Sequence, residues 1–297
     1  MLATSAIRAQ TADLDLVIRH VLAGLGHGLH AGRERGAGVE FSEYRAYAPG
    51  DEWRRVDWKL LARADRYYVR EAERDSHVAV WLLLDASASM AEPSRRLAGL
   101  DKLGFARTVL ACIAAIAQRQ GDAFGLVVAG GDRMLFTPAS RGPRQMHRVL
   151  AQLQRAQAGG GLPDASAVRS SLHFARAPSL VFAVSDGLEW PSPLSDALLR
   201  LRALQHDVRL LVLQTEAEAE GRFATGTGYR DPEAVDAPVG LRRYDAAARG
   251  AYLAARQAHF DSLATACRQR DVPLLMASIE DAVGPVLRSW LQRAGRR

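Results

Sequence analysis

The chain has 297 residues, 48% of them hydrophobic and 24% charged, with a formal net charge of +6 at pH 7. That length is enough to bury a substantial core, as one large α/β domain or two small ones, and the composition is that of an ordinary globular protein. Two cysteines (Cys112 and Cys267) without Cys-x-x-Cys spacing exclude a disulfide scaffold and a zinc ribbon, and no apolar run approaches the roughly 18 residues of a membrane helix.

The positive charge is not distributed as a nucleic-acid footprint. The aromatic-rich segment Glu40–Asp75 holds eight basic residues against nine acidic ones, whereas the residues after Gly240 hold ten against five. A solvated, helix-dipole-compatible C-terminus accounts for Arg293, Arg296 and Arg297 without a nucleic-acid ligand. Arginine carries nearly all of the positive charge, Lys59 and Lys102 being the two lysines. Asp13 and Asp15 interrupt any signal-peptide core, and both cysteines fall in helical patterns as small buried hydrophobes. The expectation is a cytoplasmic protein with no membrane span.

In chain order, Leu14, Val17, Ile18, Val21, Leu22 and Leu25 form one face of a helix over residues 13–25, which Gly24, Gly26 and Gly28 break. Residues 39–76 gather seven aromatics around the turn Pro49-Gly50-Asp51, and Tyr67–Glu71 alternates like a strand. Val78–Leu84 is seven apolar residues in a row, which suits a strand buried on both faces of a parallel sheet. It ends in Asp85-x-Ser87-x-Ser89. An amphipathic helix is expected over 97–119, a strand over Phe124–Ala129, and an edge strand over Arg133–Thr137 that Pro138 stops. A helix over 144–154 leads to Gly159-Gly160-Gly161, which reads as a hinge, and another covers Asp164–Ala175. Ser179–Ser185 is a second continuous apolar strand, ending in Asp186-Gly187. Then follow a helix (194–205), a strand (208–213), a hairpin within 221–239, a long helix (245–269), a short strand (272–277) and a last helix (283–293). Strands alternating with helices predict an α/β fold with a doubly wound, mainly parallel sheet over residues 77–297, preceded by an aromatic-rich subdomain over residues 1–76.

In such a sheet, ligands bind beyond the carboxyl ends of the strands, where Asp85, Ser87, Ser89 and Asp186 all fall. Carboxylates and hydroxyls are hard ligands that suit Mg²⁺ better than Zn²⁺. Enzyme readings find less support. No Gly-x-Ser-x-Gly elbow surrounds Ser87, no His-Glu-x-x-His occurs, and no phosphate-binding glycine loop follows a strand. The cluster His20, His27 and His30 has no carboxylate or cysteine partner at ligand spacing.

Asp85-Ala86-Ser87-Ala88-Ser89-Met90 resembles the metal-ion-dependent adhesion site of von Willebrand factor A domains. With Glu40-Phe41, Arg45-Ala46-Tyr47-Ala48-Pro49-Gly50-Asp51, Arg54-Arg55-Val56-Asp57-Trp58 and Ala62-Arg63 upstream, the chain resembles the bacterial family DUF58 from about Gly28 to its last helix. The resemblance implies an A-type domain whose metal is held by three loops. Asp85, Ser87 and Ser89 are the first, and Asp186 represents the third. The second normally supplies a threonine, where Leu162 stands here, so Mg²⁺ (or Mn²⁺ or Ca²⁺) would lack one ligand unless water or Asp164 fills the gap. The resemblance also implies a non-enzymatic adaptor working with a MoxR-type AAA+ ATPase, an acidic side chain of a partner completing the metal's coordination. The alternatives are a metal-free scaffold docking through Arg45, Tyr47, Asp51, Trp53, Arg55, Asp57 and Trp58, and, third, a metal-dependent hydrolase.

Overall fold

The computed structural model describes residues 18, 21–22, 39–46, 67–74, 79–131, 133–171, 178–224, 228–229 and 242–293. The chain divides into two compact units, one of His27–Val78 and the other of Met1–Gly26 with Ala79–Arg297. In the first, β1 (Val39–Ala46) and β2 (Tyr68–Arg74) pair antiparallel, with an irregularity between Phe41 and Glu43. The alternation at Tyr67–Glu71 thus marks β2, whereas the sequence raises no strand expectation over β1.

The second unit is built on a six-stranded sheet. Its strands are β3 (Ala79–Asp85), β4 (Phe124–Gly130), β5 (Arg133–Ser140), β6 (Ser179–Ser185), β7 (Asp207–Gln214) and β10 (Leu274–Ser278), in the order β10-β7-β6-β3-β4-β5. All neighbours are parallel except β5, which runs antiparallel along the edge of β4. The continuous apolar runs are the central strands. Val80–Leu84 and Val181–Val184 are buried because helices cover both faces of a doubly wound sheet. A separate two-residue ladder joins β8 (Gly228–Tyr229) and β9 (Arg242–Arg243), so the expected hairpin over 221–239 is paired farther along the chain.

Helices fill the connections: α1 (Lys102–Gln120), α2 (Pro143–Arg155), α3 (Ala165–Ser171), α4 (Pro193–Ala203), α5 (Glu216–Glu220), α6 (Ala246–Gln269) and α7 (Val283–Gln292). Two boundaries and one added helix differ from expectation for physical reasons. α1 starts at 102, not 97, because Asp101 caps it by accepting a hydrogen bond from the Gly104 N–H at 2.6 Å. β5 continues through Pro138 to Ser140, which an edge strand tolerates because one side of its backbone needs no ladder partner. α5 is an additional short helix, fixed by a capping box between Thr215 and Glu218.

α1 is also less amphipathic than its apolar stripe suggests. It packs on the sheet and on α2 and α7, and small residues such as Ala106, Ala111, Ala114 and Ala117 let that contact close around much of its circumference. Cys112 and Cys267 are buried in α1 and α6, where desolvation pushes their thiols up to about 12 and about 11, so both act as inert packing groups. On β4, Gly125 lies under the Trp81 indole, and a Cβ there would come within 2.3 Å of the ring. That gap lets Trp81 stack on Phe136 of β5 at a centroid distance of 5.4 Å. Among the described residues no helix is long and apolar enough to cross a membrane.

Candidate metal centre

Two adjacent strands carry the two aspartates to one rim. β3 and β6 pair in parallel as far as Leu84 opposite Val184, which sets Asp85 level with Ser185 and places Asp186 one residue beyond. The strand order reverses here, with β4 and β5 on one side and β6, β7 and β10 on the other. Crevices form at such switch points because the connections leave in opposite directions. Asp85, Ser87, Ser89 and Asp186 are all buried.

The first loop turns sharply into the short 3₁₀ segment Ala88–Ala91. The Ser87 N–H donates to Asp85 Oδ1 at 2.8 Å, and the Ser87 and Ser89 hydroxyl oxygens lie 3.1 Å apart. The second loop is fastened to the first by its backbone. The Gly159 N–H donates to the Ala86 carbonyl at 3.0 Å, and the Ala88 N–H donates to the Gly160 carbonyl at 2.8 Å. Gly160 has φ +62°, and a Cβ there would meet Gly131 Cα at 2.9 Å, so a glycine is needed for this approach. In the third loop, the Ser185 hydroxyl donates to Asp85 Oδ2 at 2.6 Å and the Leu188 N–H donates to Asp186 Oδ1 at 3.1 Å.

The second loop supplies no side-chain ligand at the positions the sequence singles out. Leu162 packs against the apolar core, and its N–H donates to Glu189 Oε1 at 2.9 Å. Asp164 does not reach inward. Its Oδ1 accepts from the Ser166 and Ala167 N–H groups at the start of α3, each at 2.8 Å, so of the two ways to fill the threonine's place, water or Asp164, this geometry does not support Asp164. Arg45 lies in β1, in the chain's other unit. Tyr47, Asp51, Trp53, Arg55, Asp57 and Trp58 lie outside the described residues, as do His20, His27 and His30.

Sequence reasoning missed the cation that the rim already contains. Lys102, at the start of α1, is 1% exposed, and its ammonium donates to Asp186 Oδ2 at 2.7 Å and to Glu218 Oε1 at 2.9 Å. Burial alone would lower the lysine's pKa. The charges of Asp186 and Glu218 and their hydrogen bonds outweigh it and hold the ammonium above its ordinary value. The Thr215…Glu218 capping box is a readable sequence signal for α5, but nothing in the sequence aims Glu218 at Lys102.

Asp85 is pushed up to about 6, first by burial and then by the charge of Asp186, against the hydrogen bonds from Ser185 and Ser87 that favour its ionised form. The Lys102 ammonium meets Asp186 and Glu218, while Asp85 is held by the Ser87 amide and the Ser185 hydroxyl beside the charge of Asp186, so carboxylates outnumber the ammonium in a buried place. That excess, with two serine hydroxyls side by side, is the chemistry a hard divalent cation answers, and the donor set fits Mg²⁺. Among the described residues no group of three or more His, Cys, Asp or Glu side chains is arranged to hold a metal, so any ion here would rest on mixed carboxylate and hydroxyl ligands.

The family model described as "Protein of unknown function DUF58" matches residues 43–261. Over 278 residues the chain is 30% identical to the uncharacterized proteins Mb1516 of Mycobacterium bovis and Rv1480 of Mycobacterium tuberculosis, covering 91% of this chain and 84% of each relative. Similar solved structures include the conserved hypothetical protein BatB from Bacteroides thetaiotaomicron, with 14% identity, a TM-score of 0.45, and coverage of 72% of this chain and 96% of that one. The SpRpn10 VWA domain aligns with 9% identity and a TM-score of 0.42 over 71% of this chain and 94% of its own. The family match spans most of the sequence and the mycobacterial relatives align over nearly all of it, so the chain belongs to the DUF58 family of proteins of unknown function.

Proposed function

We propose that the protein is a non-enzymatic interaction protein that grips an acidic side chain of its partner at the carboxyl rim of the sheet. The observation that supports this reading is the meeting of Asp85, Ser87, Ser89 and Asp186 at the switch point between β3 and β6. These four residues would hold the metal, Mg²⁺ or in its place Mn²⁺ or Ca²⁺. When bound, the ion supplies a positive pole for a carboxylate from outside. The chain's own residues prepare that pole. The Ser87 amide and the Ser185 hydroxyl fix the two oxygens of Asp85, and the second loop holds the backbone between Ser87 and Ser89 in place. Leu162 gives no side-chain oxygen, which leaves more of the ion's coordination to water and to the partner.

The resemblance to DUF58 proteins points to a MoxR-type AAA+ ATPase as the partner to test first. Binding of that ATPase is measured in Mg²⁺ and in EDTA, with wild type and Asp85→Ala. The expected outcome is at least tenfold weaker binding in EDTA or with the variant. Undiminished binding by a folded Asp85→Ala protein would remove the metal bridge.

A further inference from the structure

The three loops that end β3, β6 and β7 are tied together by one ammonium. Lys102 follows β3, Asp186 follows β6 and Glu218 sits in α5 after β7. These residues are 84 and 116 positions from Lys102, and both hydrogen bonds are under 3 Å. Such a buried lysine persists only because both carboxylates meet it. Glu218 is held in turn, its Oε2 accepting from the Thr215 N–H at 2.7 Å and from the Thr215 hydroxyl at 3.1 Å. The rim is therefore assembled around a positive charge of the chain's own, and Asp186 belongs both to that charge and to the candidate metal centre.

We infer that Lys102 is an internal competitor of the metal, holding Asp186 and Glu218 in place and weakening the rim's grip on a divalent cation. This inference rests on the metal reading above. Two cations sharing one carboxylate repel each other, and the repulsion is strong where water is excluded. An ion alone is then held loosely, and an acidic group from a partner relieves the repulsion. The rim thus takes up cation and carboxylate together. The lysine acts through Asp186 and is a positioning residue, not a ligand.

Mn²⁺ binding to the full-length protein, followed by electron paramagnetic resonance with Mn²⁺ alone as the probe, tests this without any activity assay. The Lys102→Met variant is expected to bind Mn²⁺ at least tenfold more tightly than wild type, and adding Asp85→Asn is expected to abolish that binding. Glu218→Gln is expected to move the other way, because the ammonium then rests on Asp186 alone and one negative charge is gone. A merely structural role for Lys102 would weaken binding in both variants. Equal or weaker binding by a folded Lys102→Met, with wild-type binding intact, overturns the competitor and leaves the metal reading standing. Absence of binding in wild type and in both variants removes both. If Lys102→Met does not fold, Lys102→Gln, which keeps an N–H donor for the carboxylates without the charge, takes its place, and equal or weaker Mn²⁺ binding by it overturns the inference.

Discussion

A buried charge is stable only with partners, and at this rim the partners come from far along the chain. Asp85 and Asp186 were legible in the sequence because each directly ends a continuous apolar run, which fixes both its sheet and its edge. Lys102 and Glu218 were not, because an ammonium at the start of one helix and a carboxylate in another carry no mark of meeting. The one hint is compositional. In a chain whose positive charge is almost all arginine, a lysine placed ahead of Leu103 and Phe105 is a choice of a slender, compact cation over a broad planar one. A different buried residue sets an acid limit. His206 is buried in the turn before β7 and accepts the Ser179 N–H at Nδ1, and burial lowers its pKa from the ordinary 6.5. The folded state therefore holds the neutral ring while the unfolded chain takes up a proton. The stability His206 contributes is full above about pH 6.5 and is lost as pH falls from there toward the lower folded value. The raised value of Asp85 acts in the opposite sense in both proteins, so melting temperatures between pH 7.5 and 5.0 are expected to fall more, or rise less, in wild type than in His206→Asn, which keeps an acceptor for Ser179 without a titrating ring. Equal slopes would contradict this.

The elements were legible where one physical signal dominated. The central strands follow from unbroken hydrophobicity, and α4 and α6 are fixed near their expected starts by Ser192 and Asp245. They were less legible where signals competed. Leu97 and Leu100 extend the apolar stripe of α1 backwards, but the Asp101 cap outweighs it. Pro138 reads as a stop even in an expected edge strand, yet the strand runs on through it to Ser140 because an edge position tolerates a missing N–H. The Gly159–Gly161 run reads as a hinge, yet Gly159 and Gly160 clamp the first loop. Gly160→Ala tests that clamp. A Cβ at φ +62° against Gly131 Cα is expected to cost about 1–2 kcal/mol in urea unfolding and to weaken Mn²⁺ binding as the Gly160 carbonyl leaves the Ala88 N–H. Unchanged Mn²⁺ binding with that stability loss would show that the clamp does not shape the metal centre.

At the scale of the molecule, the sheet's topology explains why a rim forms at all. The crossover from β5 back to β6, through α2 and α3, reverses the direction of winding and opens the space between β3 and β6. The covering helices keep that space dry enough for Asp85 to sit at about 6 and for Lys102 to need two partners. A metal-dependent grip on an acidic side chain and a lysine that tempers it are two consequences of this one arrangement. The most direct measurement is anomalous diffraction from crystals of the protein grown with Mn²⁺. The account predicts one ion bonded to the Ser87 and Ser89 hydroxyls beside Asp85 and Asp186, with the Lys102 ammonium still on Glu218. Crystals grown in saturating Mn²⁺ that show no ion at these hydroxyls would contradict it.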